Sequence, residues 1–467
     1  MSEAKKIQEK RFAGDMTAGS PFRLILAFSI PLLLGNVLQQ MYNMVDSIVV
    51  GNYVGTIALA AVGTGFPIIY MMVALFMGIG SGAAVIISQY FGAGNLKKVS
   101  DTVNTIYTTG IIGAVPVSVL GILLSGPLLR LINTPENTLS DARLYMMIIF
   151  AGTIFSLGYN LNSAVMQSLG DSKTPLLLLT IACGLNVVLD LVFVILFHWG
   201  VAGVAIATIL AQAIAWFIGI FLINRKYTYI HISLFKFSFD KELFQKIIRL
   251  GLPNGLQQML FSVGTLALQS LVNGYGSDFM AGFNGANKID MFAFFPAQSF
   301  GMALTTYVGQ NIGAGKLYRV KEGLRATMVM SILCGVGAMV LVLVWGPNMM
   351  HLFSQEIAVV QAGMDYLRPV MYCYLLFAVM NTFLSVLRGA GDMVFPMITS
   401  LLSLWLIRLP MAYLMAYFFG KEYIFFSYGG GWLIGVMMAI VYYYSGRWKK
   451  KAVVSMPDSG EKEDKDE

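Results

Sequence analysis

The sequence predicts an all-α integral membrane protein with twelve transmembrane helices in two six-helix bundles, related as a 6+6 pseudo-twofold repeat. Three observations carry this reading. The 467 residues are 57% hydrophobic and 12% charged, with a mean hydropathy of +0.71, too little polar surface to cover a soluble protein of this length. Apolar stretches of about 20 residues or more recur along the chain. Finally, Gln89-Tyr-Phe-Gly-Ala-Gly-Asn-Leu-Lys-Lys-Val99 returns as Gln310-Asn-Ile-Gly-Ala-Gly-Lys-Leu-Tyr-Arg-Val320, with six of eleven positions identical at an offset of 221. The same offset carries Gly170-Asp171 and Pro175 onto Gly391-Asp392 and Pro396, and Tyr145 onto Tyr366. One unit has been used twice, which suits two bundles that rock around a site between them.

The spans expected in the first bundle are 22–51, 56–89, 101–125, 138–168, 174–197 and 200–224. Those in the second are 244–274, 279–311, 324–346, 357–387, 395–419 and 423–446. The first span carries Pro31 about ten residues in, beyond the turn where proline is harmless, so it should kink there. The second span of each bundle closes on a Gly-Ala-Gly turn, where glycine permits a left-handed residue. Neither turn follows a strand or ends in Gly-Lys-Ser/Thr, which excludes a phosphate-binding loop. The chain divides into a cytoplasmic N-terminal segment 1–20, a first bundle 21–224, a polar cytoplasmic linker 225–243, a second bundle 244–448 and a disordered tail 449–467. Charged residues 1–11 lead into a helix too long for a cleavable signal, so the first span serves as its own insertion signal.

Lys and Arg gather in alternate loops. Twenty-two fall on the side of both termini, Lys5, Lys6, Lys10, Arg11 and Lys236 among them, against Arg130, Arg143 and Lys421 on the other. The positive-inside rule then puts both termini in the cytoplasm and the protein in the cytoplasmic membrane. It also accounts for the net charge of +7 without a nucleic-acid partner. Three cysteines inside spans form no disulfide framework, and His198, His231 and His351 lie in three separate loops, which argues against a histidine metal site.

Intramembrane acids are the strongest functional signal, because an ionised carboxylate at the helix centre costs at least about 2.5 kcal/mol unless paired, hydrated or protonated. Asp46 and Asp190 both sit one or two turns from the outer ends of their spans. Asn186 lies one turn below Asp190 on the same face, and Thr208 and Tyr145 lie at a similar depth. Counting roughly 1.5 Å per residue places all five about 8 to 18 Å below the outer face. They would make an oxygen-rich cation or proton site; the alternative is that each polar group bonds a neighbouring helix. At the 221 offset Asn186 and Asp190 become Ile407 and Met411, so the carboxylate site is expected in the first bundle alone. Lys288, Asp290, Arg368 and Arg408 are weaker candidates, since pairing between bundles or snorkelling also explains them. Met and Phe residues of the second bundle suit a cavity that accepts varied shapes. The expected lining is Gln39, Gln257, Met259, Met291, Phe292, Phe295 and Arg408.

Taken together, Pro31, Gln39-Gln40-Met41-Tyr42, Val45-Asp46 with Gly51, the paired Gly-Ala-Gly turns, Gly170-Asp171 with Pro175, and Asn186-x-x-x-Asp190 with Thr208 resemble the MATE (multidrug and toxic compound extrusion) family from about residue 20 to 448. The likeness is greatest to its DinF-like branch, whose coupling site matches Asp46, Asn186, Asp190 and Thr208. The NorM-like branch has an acid on helix 7 and another on helix 10, where this chain has Gln257 and Gln258, and Asn381. The resemblance implies export of organic, often cationic or amphipathic, compounds in exchange for H+ or Na+, with Na+ held at Asp46, Asn186, Asp190 and Thr208 if it is the ion. It implies no cofactor and no enzymatic activity; small organic substrates and membrane lipids are the partners, and a monomer suffices. A lipid-linked precursor flippase of the same superfamily is the alternative, for which Lys288, Arg368 and Arg408 are the only cationic support.

Overall fold

The computed structural model describes residues 14–234 and 237–454. In a bilayer every backbone polar group must be satisfied within the protein, which leaves the helix as the only open-chain solution. The first bundle comprises α1 (Pro21–Val49, continued as a π-helix over Val50–Val54), α2 (Thr56–Gly92), α3 (Leu96–Leu131), α4 (Glu136–Ala151 and Thr153–Ser168), α5 (Lys173–Leu191, then π over Val192–Leu196) and α6 (Gly200–Lys226). The second comprises α7 (Lys241–Asn273), α8 (Ser277–Gly313), α9 (Leu317–His351), α10 (Ile357–Gly389), α11 (Val394–Leu401, π over Leu402–Arg408, Leu409–Phe419) and α12 (a 3-10 turn Lys421–Phe426, then Ser427–Tyr444). A final 3-10 turn, Arg447–Lys451, caps the chain.

Twelve rods result, as expected, though they are not equally apolar. Among the described residues nine helices are long and apolar enough to span a membrane, and the two segments of α4, bent by 53° at Gly152, make a tenth. The other two rods, α7 and α8, are 33 and 37 residues long. They miss the apolar test because they carry Asn254, Gln257, Asn287, Lys288 and Asp290, of which Gln257 and Asp290 are buried in the protein.

The repeat is visible in the turns. α2 and α8 both end in Gly-Ala-Gly, with Gly94 and Gly315 at φ 72° and 73°, a left-handed conformation that glycine adopts without a Cβ penalty. Gly170 and Gly391 take φ 82° and 94°, and the following aspartates cap the next helix: Asp171 accepts from Thr174 N at 3.1 Å and Asp392 from Phe395 N at 3.1 Å. Burial works against the charge of Asp171, but a 2.6 Å bond from Lys226 Nζ and bonds from Thr174 outweigh it and hold the carboxyl below its usual range.

The bundles meet along α2. A Cβ at Gly78 or Gly82 would run into the backbone of Gly255 or Gly251, so α2 and α7 cross backbone to backbone. Asn254 Nδ2 donates to Ser81 Oγ at 2.6 Å across this seam. Both described chain ends lie at one end of the molecule, where Met16 N bonds Gln310 and Val453 N bonds Gln89. Two boundary expectations change here: segment 14–20 and residues 449–454 are built into that end, whereas Lys5, Lys6, Lys10, Arg11, Lys236 and the tail from Ser455 lie outside the described residues. The linker is also tied down. Asn224 brackets Ile232 with two hydrogen bonds, and Ser238 and Asp240 bond Thr108 and Thr105 of α3.

Pro31 does not break α1. The helix runs without interruption from Pro21 to Val49 with Pro31 buried, and a π segment follows at Val50–Val54.

Candidate functional site

Five expected residues, Asp46, Tyr145, Asn186, Asp190 and Thr208, are brought together inside the first bundle. Asp46 of α1 and Asp190 of α5 lie within hydrogen-bond reach of each other. Asp190 and Asn186 are almost wholly buried, at 0% and 1% exposure. The Asn186 amide bridges α5 and α6. One of its ends lies 2.9 Å from Asp190 Oδ2 and donates to it when oriented as nitrogen; the other lies 3.2 Å from Thr208 N and 3.3 Å from Thr208 Oγ1. Tyr145 of α4 stands beside both acids.

The acids are poorly served by the protein. Asp46 Oδ1 and Asp190 Oδ1 are buried without a hydrogen-bond partner, and no Lys or Arg forms an ion pair with either carboxyl among the described residues. Two touching carboxyls cannot both be charged in such surroundings without a proton or a cation between them. Directly beyond each acid its helix relaxes into π geometry, Val50–Val54 after Asp46 and Val192–Leu196 after Asp190. Single π turns of this kind gather at functional sites.

Tyr42, one turn before Asp46, completes the site. Its hydroxyl lies 3.5 Å from Thr208 Oγ1 and its ring stands close to Asp46, Asp190 and Tyr145. The sequence held a signal for it, the i, i+4 spacing to Asp46.

The second bundle also buries an acid, one of the weaker candidates named above. Asp290 of α8 is 2% exposed. It accepts from Tyr366 OH at 2.6 Å and from Tyr374 OH, both on α10. Arg408, at the end of the π segment of α11, acts on it electrostatically and lies with its Cζ 3.1 Å from the centre of the Tyr428 ring. The 221 offset could not reveal this acid, because position 69 is isoleucine. Lys288, two residues away, points elsewhere, toward the Phe353 ring at 5.8 Å.

The residues of the expected cavity lining differ in their surroundings. Gln257 donates to Ser400 Oγ at 2.8 Å, and Phe295 and Arg408 are buried within the second bundle. Met291 and Phe292 are exposed, while Gln39 and Met259 are half-buried. The cations do not gather: Arg368 is exposed on α10, away from the buried Arg408.

Repeated six-helix bundles joined along a glycine seam, with ionisable groups sunk inside each, define the class of an integral membrane transporter. The pattern of the MatE family matches residues 31–192 and again residues 253–414, and the chain belongs to that family. It is 34% identical to the "Probable multidrug resistance protein YpnP" of Bacillus subtilis (strain 168) over 443 residues, 94% of this chain and 98% of the relative. It is 29% identical to the "Probable multidrug resistance protein YoeA" of the same organism, covering 96% and 99%. Among solved structures it resembles the "Outward-facing conformation of a multidrug resistance MATE family transporter of the MOP superfamily", with TM-score 0.85, 23% identity and coverage of 94% and 98%. At that identity the likeness speaks for the fold.

Proposed function

We propose that this protein is an antiporter of the DinF-like type that exports organic, cationic or amphipathic compounds in exchange for H+ or Na+ by alternating access. The observation that carries the proposal is the Asp46–Asp190 contact, in which two buried carboxyls meet with no cationic side chain between them. A single proton or monovalent cation neutralises such a pair in part, and the amide of Asn186 and hydroxyls of Thr208 and Tyr42 supply further oxygens. With two acids and no third carboxylate, the donor set favours a monovalent ion over a divalent one. Relatives named as multidrug resistance proteins support organic compounds as the exported class. Charge asymmetry between the loops supports a cytoplasmic terminal end and a cytoplasmic-membrane location. One chain holds the whole site, so a monomer is the working unit, without cofactor or nucleic acid.

Loading from outside is driven by the membrane potential, about 2.3 kcal/mol per charge per 100 mV. Coupling requires that ion and substrate bias the two conformations in opposite directions. Proteoliposome efflux of a fluorescent organic cation, under separately imposed Na+ and pH gradients, tests this. One gradient should drive wild-type efflux, and Asp46→Asn and Asp190→Asn should stop it; undiminished gradient-driven efflux in both variants would remove the proposal.

A further inference from the structure

Where both termini lie, α2 and α8 end against each other. A Cβ at Gly92 would run into the backbone of Gln310, and one at Gly313 into that of Gln89. Both glutamines are fully buried, and each reaches across to the other bundle. Gln89 Nε2 donates to Gly389 O at the end of α10, at 3.0 Å, and Gln310 Nε2 donates to Ser168 O at the end of α4, at 3.2 Å. Donors and acceptors obey one offset, since 89 and 310 differ by 221, as do 168 and 389. The other end of each amide holds a chain terminus: Gln89 Oε1 accepts from Val453 N at 2.7 Å, and Gln310 Oε1 from Met16 N at 2.8 Å.

The crossing bonds are confined to one half of the molecule. Among the described residues, side-chain hydrogen bonds between the bundles start at Asn36–Ser299 and Ser81–Asn254 and lie from there toward the terminal end. Beyond that level, toward the Asp46–Asp190 pair, α1 exposes Met41, Met44 and Ile48. The bundles are therefore bonded at the terminal end and unbonded at the other.

We propose that Gln89 and Gln310 are a matched inner latch, closed in this conformation, which must break before substrate enters from the side of the termini. The latch rests on the alternating-access reading above. Backbone acceptors make it independent of pH, and two equivalent bonds make it open in halves. The chain ends reinforce it, because a terminus leaving its glutamine frees the amide to rotate away from the opposite bundle. Gly92 and Gly313 are the close approach that brings each amide within reach.

The test uses the full chain with Cys183, Cys334 and Cys373 replaced by alanine and spin labels at Lys97→Cys and Tyr318→Cys. These exposed positions lie at the terminal end of different bundles, in repeat-equivalent places. In detergent, with substrate, protons or Na+ varied, the wild type should show a short and a long distance. Gln89→Ala and Gln310→Ala should each raise the long population relative to the short roughly five- to tenfold, the range set by one or two buried hydrogen bonds. Gly313→Ala keeps both glutamines and should act in the same direction by wedging the helix ends apart. Two distances in the wild type with no change in any of these folded variants would overturn the latch and leave alternating access standing. A single distance in the wild type under every condition would overturn both.

Discussion

Tyr145 and Tyr366 occupy equivalent places in the two bundles, yet the acids beside them are treated in opposite ways. Around Tyr366, Asp290 accepts two tyrosine hydroxyls, with Arg408 nearby as countercharge. Around Tyr145, Asp46 and Asp190 face each other, and one oxygen of each has no partner. Burial alone therefore does not mark the working site, since Asp290 is as deeply buried as Asp190. What separates them is unfinished bonding. A buried acid whose needs are met by fixed neighbours is part of the packing, whereas a pair left short of hydrogens has free oxygens to offer the proposed ion.

The sharpest way to break this comparison is to neutralise each acid in turn. Asp46→Asn or Asp190→Asn should reduce gradient-driven efflux by about 100-fold, the upper range of coupling between sites, while leaving melting temperature nearly unchanged. Asp290→Asn should do the reverse: efflux stays coupled to the ion gradient, but the protein loses about 3 kcal/mol because Arg408 is left buried without its countercharge. Thermal unfolding in detergent distinguishes the two, and Arg408→Met combined with Asp290→Asn should recover part of the loss. The tyrosine mates sharpen the contrast. Tyr366→Phe removes a 2.6 Å bond to a buried carboxyl and should cost about 1 to 3 kcal/mol; Tyr145→Phe should alter apparent ion affinity more than stability.

The smallest effect belongs to the helix caps. Asp171→Asn keeps the capping oxygen but removes the charge that pairs with the partly exposed Lys226, so about 1 kcal/mol is expected. Because the folded carboxyl is held below its usual range, that stability is complete above the ordinary carboxylate pKa of about 4 and fades as pH falls below it. Acid unfolding of wild type and variant should converge at low pH; a constant gap down to pH 2 would contradict the assignment.

Spans, repeat and acid pair were legible because each leaves a one-dimensional trace: apolar length, a fixed offset, an acid where lipid forbids one. Tyr42 was not singled out, because aromatic residues are common in apolar helices and its spacing to Asp46 alone does not distinguish it. Asp290 was legible as an intramembrane acid, but its surroundings were not. Its mates Tyr366, Tyr374 and Arg408 lie 76 to 118 residues away, and only the crossing of α8, α10 and α11 joins them. Composition likewise showed which side chains can adapt to a substrate, not which of them share a face. Pro31 predicted a kink from a local rule, whereas the π segment next to the acid left no such trace.

The glycine seam between α2 and α7 has a mechanical meaning. Where side chains interlock, turning one rod against another must shear knobs out of their sockets, at a cost in lost dispersion at every step. At Gly78, Gly82, Gly251 and Gly255 there are no knobs, only two smooth main chains in touch. Such a joint resists separation yet offers little friction to rotation, so it would serve as a bearing for the proposed rocking of the bundles. Adding a methyl group at Gly82 would be grit in it.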